Sequence, residues 1–288
     1  NAQAMGVNAR ATGAKSLAIG SDSVAQTAGD IAIGGGANAV AATAGNPAVT
    51  SKGVAIGSNA SAKGSVSIGE SAYSDYFGVA IGYKAGAENT TTGSSFSNVT
   101  IGSNTRVGVS GKKAAQGIAI GSGIQANEGA WAKGDQSIAI GSNTEASGDS
   151  SIAIGGDDLN SVYSSSSSYT KKTFDKAGTQ TSSQSVNKNL NDIYKDLTGR
   201  TEGLGYNVFK GTNSGQGAVA LGVKSKAGDI ALAIGTLSEA TGINSVAIGT
   251  GAQTPQANAV AIGGGSSTAG MQGRQINDAD ITLSDGTT

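Results

Sequence analysis

The sequence predicts an all-β chain folded as a parallel β-roll, a solenoid of coils about 14 residues long, with one mixed insertion that contains a short helix. Three observations carry this expectation. A phrase made of a β-branched or Leu residue, a small residue, Ile or Leu and then Gly returns along the chain. The steps between its copies cluster at 12 to 14 residues. The composition, with 47 Gly in 288 residues, 4% aromatics and 14% charged residues, lacks the bulky side chains of a globular core. Ala and Gly bury little area at about 25 cal/mol per Å². Low charge argues equally against an open, disordered chain.

The phrases end at Gly20, Gly34, Gly57, Gly69, Gly82, Gly102, Gly121, Gly141 and Gly155, then at Gly222, Gly235, Gly249 and Gly263. The successive steps are 14, 23, 12, 13, 20, 19, 20, 14, 67, 13, 14 and 14 residues. Gly6 stands 14 before Gly20, so the chain opens inside a repeat and reads as a fragment of a longer one. Each unit holds two short strands and two turns. In "SVAIG", Val246 and Ile248 point to one side and Ala247 to the other, by the period of two in a strand. Gly249 then allows a conformation or a close approach that a Cβ would forbid.

Stacked coils place like on like. Ile19, Ile33, Ile56, Ile68, Ile81, Ile101, Ile120, Ile140, Ile154, Leu221, Ile234, Ile248 and Ile262 are read as the structural repeat core. So thin a coil fills one strand face inside and leaves apolar residues on the other, which implies an obligate homo-oligomer.

The chain divides into roll repeats over 1–155, an insertion over 156–215, continued repeats over 216–265 and a connector or neck-like segment over 266–288. Steps of 19, 20 and 23 residues hold smaller insertions at turns. These are "AATAGNPAVTSK" with Pro47, "AENTTTGSSFSN", "RVGVSGKKAAQ" and "IQANEGAWAKGDQ" with Trp131, the only Trp. Trp131 reads as a local packing plug or as a ligand anchor. Tyr73, Tyr76 and Phe77 read as a cap on a coil.

The large insertion opens with a Ser-rich stretch carrying Tyr163, Tyr169, Lys171, Lys172 and Phe174, expected as an extended hairpin or a loop. Val186, Leu190, Ile193 and Leu197 are spaced 4, 3 and 4 apart, one face of a helix of about 12 residues, with Ser183 or Ser185 as cap and Gly199 as stop. A helix so short must dock on something. Trp131, Tyr163, Tyr169, Lys171 and Lys172 are the candidate ligand-contact residues.

"KSLAIGSDSVAQTAG", "QSIAIGSNTEASG" and "NSVAIGTGAQTPQANAVAIG" resemble the head repeats of the trimeric autotransporter adhesins, the YadA-like family. The resemblance covers about residues 5–155 and 216–265. It implies a left-handed roll, a homotrimer and exposure on the bacterial outer membrane, with any membrane anchor C-terminal and outside this fragment. It also implies adhesion to extracellular matrix proteins of the collagen, fibronectin and laminin class, to surfaces or to other cells. A passive spacer in a surface fibre is the alternative. "AGMQGRQI" resembles the family's neck, although "NDADITLSDGTT" departs from it.

Other classes fit poorly. No His and no Cys removes the Ser-His-Asp, Cys-His and most zinc arrangements, and the base of the hexapeptide acyltransferases. A net charge of -1 gives no nucleic-acid footprint, and no apolar run spans a membrane. Gly at every third position, a calcium-roll nonapeptide and a phosphate loop before a helix are all absent. The expectation is a binding protein, not an enzyme, with no cofactor and no metal.

Overall fold

The computed structural model describes residues 1–44, 49–87, 97–109, 114–208 and 210–269. Among these, two parallel sheets run the length of a roll, one of 14 strands and one of 12. The first sheet holds the repeated phrases, from Gln3–Met5 through Leu17–Ile19 to Val260–Ile262. The second holds the short strands between them, such as Val24–Ala25, Ser61–Lys63 and Thr144–Ala146. Every coil pairs in register with the next, so Ile138, Ala139 and Ile140 lie beside Ile152, Ala153 and Ile154. The register survives the insertion, because Ile152–Ile154 pairs directly with Val219–Leu221. The second sheet already resumes at Thr212–Ser214, within the segment that composition assigned to the insertion.

The two sheets lie so close that only one small side chain per strand fits between them. Ala18, Ala32, Ala55, Ala119, Ala139, Ala153, Ala220, Ala233 and Ala247 are fully buried from the first sheet, and Ala25, Ala39, Ala62, Ala132, Ala146 and Ala240 from the second. Other residues replace Ala at a few interior positions, Val107 and Ser214 among them, and the buried Ser214 hydroxyl has no hydrogen-bond partner. Ser67 shares a hydroxyl–hydroxyl bond of 2.7 Å with Ser74 across the interior, and the Thr100 hydroxyl donates to the Val79 carbonyl.

This corrects the expectation that the Ile row is the core of the repeat. Ile19, Ile33, Ile56, Ile120, Ile140, Leu221, Ile234 and Ile248 are only half-buried, while Ile68, Ile81, Ile101, Ile154 and Ile262 are exposed. They stack in register as the spacing requires, but on the outside of the roll. The reason is volume. A row of Ile between sheets this close would force them apart and break the turns that join them.

Both corners use one turn. A Gly is followed two residues later by a residue in the left-handed region, and three later by Ser, Thr or Ala. Asp22, Asn104, Asn143 and Asn244 fill the left-handed position at φ between 51° and 56°. The hydroxyl at the fourth position donates back to the Gly carbonyl, as Ser23 does to Gly20 and Ser245 to Gly242. A coil is therefore two seven-residue halves, as at Gly235, Gly242 and Gly249. Gly34 shows why its position admits no side chain: φ is +132°, and a Cβ would stand 2.4 Å from the Gly57 carbonyl oxygen of the next coil.

The additions leave the roll at its corners. Ala42–Ala44 pairs antiparallel with Val49–Ser51 in the 23-residue step, whereas Pro47 lies outside the described residues. Residues 88–96 and 110–113, inside two of the predicted insertions, also lie outside them, as do 270–288 with the neck-like "MQGRQI". Tyr73 sits on the strand Tyr73–Asp75 with its hydroxyl on Asp75, and Tyr76 and Phe77 form the following turn at positive φ.

The thin interior makes a sharp prediction. Ala139→Leu, fully buried and stacked between Ala119 and Ala153, should lower the denaturation midpoint by the equivalent of about 3 kcal/mol or more, because its added carbons have no void to enter. Ile138→Leu on the outward face should stay within about 1 kcal/mol of the parent in the same denaturant titration.

Candidate functional site

Two surfaces stand out from an otherwise small and polar exterior. One is the outer face of the first sheet. There the Ile row runs beside a second apolar row, Leu17, Ile31, Val54, Val66, Val79, Val99, Ile118, Ile138, Ile152, Val219, Leu232 and Val246. At about 4.8 Å per strand this double ladder is about 60 Å long. A contiguous apolar stripe of that size marks an interaction face.

The other surface is the insertion, which is an arm clamped to the roll. Helix α1, Asn160–Ser164, leads into a hairpin of Ser166–Phe174 and Gln180–Asn189, followed by helix α2, Leu190–Thr198. The predicted helix is thus shorter than its apolar spacing suggested. Val186 lies in a strand, neither Ser183 nor Ser185 is the cap, and the Asn189 side chain accepts from the Asp192 N–H instead. Gly199 does end α2, at φ 68°. The face that α2 buries is Leu190, Asn191, Ile193 and Tyr194, while Leu197 points to solvent. The pairing strand won over helical periodicity because residues 180–189 find partners along the whole of 166–174.

α2 seats on the first-sheet corner of the coils that follow it. Tyr194, Leu159 and Leu204 form a small buried cluster, against which Tyr163, Leu190, Val223 and Leu237 pack. Leu237 occupies the left-handed turn position that Asp22, Asn59, Asn104 and Asn143 fill in other coils, and Lys224 does so one coil earlier. Lys224 is buried, and its ammonium donates to the carbonyls of Leu204 and Gly205; burial lowers its pKa. The same position is Gly251 and Gly265 further on, where a Cβ would strike the Tyr194 hydroxyl and Thr198. The Arg200 guanidinium donates to the Gly251 carbonyl. Tyr194 and Thr198 are four residues apart and rest on successive coils. One helical turn, about 5.4 Å, nearly matches one coil, about 4.8 Å, so a helix laid along the corner meets each coil with the same face.

The five predicted contact residues do not converge. Trp131 belongs to the strand Trp131–Ala132 of the second sheet, not to a loop. Its ring is covered by Arg106 at 3.9 Å and Lys133 at 4.0 Å, and its indole N–H donates to the Gly108 carbonyl. Lys133 also pairs with Glu145 at 2.7 Å. Burial pushes the Glu145 carboxyl up, but hydrogen bonds from Lys133, Ser147 and Asn213 and the Lys133 charge outweigh it and hold the pKa low. Those contacts fit the packing role. Tyr163 lies on α1, its ring centroid 5.4 Å from that of Tyr206.

Tyr169, Lys171 and Lys172 lie on the hairpin. Tyr169 and Lys171 share one face and line a shallow cleft of about 450 Å³ with Val186, Lys188 and Asp196, and Lys172 faces the other way. The tip, with Phe174 59% exposed, is braced by Asp175 accepting from the Ala177 and Thr179 N–H groups. At the base Lys188 contacts Asp196 at 2.7 Å. That bond holds the Asp196 carboxyl below its ordinary pKa and the Lys188 ammonium above its own. Among the described residues no cluster of acidic side chains could hold a metal ion, and no helix is long and apolar enough to cross a membrane. Sequence reading missed Lys224 and the Asn189 cap, for which Lys at a turn position and Asn before "LND" were the available signals.

The YadA head domain repeat matches residues 1–23, 11–37, 132–157, 214–238, 228–252 and 240–266, on both sides of the arm. No curated protein matched the sequence.

Two outcomes follow for the arm. Tyr194→Ala should weaken its docking by about 3 kcal/mol, so that limited proteolysis cuts within 199–211 faster while the sheets keep their circular dichroism. The Lys188–Asp196 pair stabilises the hairpin above the ordinary carboxylate range, and this is lost as pH falls through the depressed pKa of Asp196. Amide exchange at the hairpin base, corrected for intrinsic rate, should therefore lose protection on acidification, and Asp196→Asn should remove that pH dependence.

Proposed function

We propose that this chain, a YadA-like head of the trimeric autotransporter adhesin kind, works as a homotrimer that displays repeated coils and arms to matrix proteins. The head repeat marks an adhesin-type surface protein, and the repeat family is a structural one, not an enzyme family. The observation that carries the trimer is the double apolar ladder, about 60 Å of half-exposed Ile, Leu and Val on a roll whose interior is already full. Such a stripe is covered only by another surface equally long and equally periodic, and a second and third copy supply that in register.

Affinity then comes from repetition. Each trimer presents three arms, and weak contacts add through effective concentration. The hairpin is the part of the arm best suited to contact. It projects from a docked base, its tip is braced, and it carries Tyr169, Lys171, Lys172 and the exposed Phe174. The ligand class is the collagen, fibronectin and laminin one, and the site of display is the bacterial outer membrane. A passive spacer is the competing reading.

Light scattering of the purified chain should give a mass near three times 27.9 kDa. Ile120→Asp with Ile140→Asp should yield a monomer that retains its β circular dichroism, because both side chains face outward. On immobilised collagen, fibronectin, laminin and bare plastic, the parent should bind at least one. Lys171→Glu with Lys172→Glu should reduce that binding about tenfold or more. A trimer that binds none of them is a spacer, and a folded parental monomer ends the trimer reading.

A further inference from the structure

The corner that α2 covers downstream continues upstream as an open groove of about 900 Å³. It runs from Tyr83, after Gly82, to Asp157 and Asp158, after Gly155, with Ile124, Glu128 and Asn143 between. We propose that this groove is a docking site for a basic amphipathic α-helix of a partner protein. The inference depends on the corner geometry and not on the adhesive reading.

Within this same molecule the corner is already a helix seat, since α2 lies along it with side chains resting on successive coils. The open stretch crosses the coils ending at Gly82, Gly102, Gly121, Gly141 and Gly155. At about 4.8 Å per coil that is about 19 Å, the length of about 13 helical residues. An extended peptide has less to hold, because the corner N–H groups are spent between coils: Gly123 donates to Ser103, and Asn143 to Glu128. Among the described residues of this stretch the strands are paired on both sides, which leaves no edge for a peptide to extend.

The lining selects the helix. Ile124 is 95% exposed, the most exposed large apolar side chain described. Its loop is built, not slack: Asn104 Nδ2 donates to the Gly123 and Ile124 carbonyls, and Glu128 accepts from the Ile124 and Gln125 N–H groups. Tyr83 supplies a second apolar surface at the far end, with Lys84 over its ring. Glu128, Asp157 and Asp158 line the same groove, and Lys84, over the Tyr83 ring at one end, is a cation beside an otherwise acidic lining. Lys224 stands near the two aspartates with its ammonium committed to the Leu204 and Gly205 carbonyls. An apolar ridge flanked by Lys or Arg matches this surface, and an acidic helix is repelled by it.

The test titrates the whole chain against three fluorescein-labelled peptides of about 18 residues with a common Leu stripe and polar positions that are all Lys, all Gln or all Glu. The Lys peptide should bind about tenfold or more tighter than the Glu peptide by anisotropy. Ile124→Asp should weaken it about tenfold, and so should Asp157→Asn with Asp158→Asn, a change that keeps the acceptors for Asn143 and the Asn160 N–H. Circular dichroism should be unchanged in both variants. Lys-peptide affinity that neither variant alters, a Glu peptide that binds as well, or no binding below about 1 mM overturns the proposal. Retained matrix binding beside any of these results leaves the adhesive reading standing.

Discussion

The closeness of the two sheets is the constraint on which the rest of this molecule depends. One small side chain per strand separates them, so the interior rows are mostly Ala, with Ser, Thr or Val107 at a few positions, and the Ser67 and Thr100 hydroxyls there find partners. Turns this tight need Gly where coil backbones touch and a left-handed residue two positions on. Where the corner residue is Ser or Thr, its buried hydroxyl is satisfied by the Gly carbonyl three residues back, as at Ser23 and Thr144. Parallel register follows, because any slip would set a Cβ against the next coil's carbonyl.

The same closeness expels the large apolar residues. Val, Leu and Ile have no place inside, so they form ladders outside, where a lone chain leaves them half in water. Stability and the exposed apolar surface thus rest on different residues of one short phrase. Its Ala holds the coil shut, and its Ile stays on the outer face. Such a division suits a surface protein, since stacking needs no reactive group and lengthening the roll adds display without new chemistry.

Corners are where such a roll acquires individuality. Extra chain can leave there without disturbing the ladders, and Ile152 still meets Val219 after the longest departure. The near match of helical pitch to coil spacing makes the corner a track for helices. The arm exploits it: at the left-handed position of the turns beneath, Leu237 packs against the arm, and Gly251 and Gly265 leave room for Tyr194 and Thr198. Lys224 shows the same adaptation in polar form, its charge spent on the arm's own carbonyls.

The sequence by itself determined the roll, the period, the register of the ladders and the place of the insertion, because each is a one-dimensional repeat that stacking converts directly into space. Alternation within Val246, Ala247 and Ile248 likewise showed that two faces exist. Which face is inside was decided only by the tertiary structure, because it depends on the distance between two sheets and not on any spacing along one strand. The arm was half legible for a similar reason. Gly199 ends the helix as read, but Val186 belongs to a strand, since cross-strand pairing with Tyr169 outweighs a helical spacing that has no partner of its own. Trp131 looked like a loop residue until Arg106, a coil away, was found over its ring. Contacts between coils are set by stacking, and insertions of unequal length hide from the sequence which residues will stack.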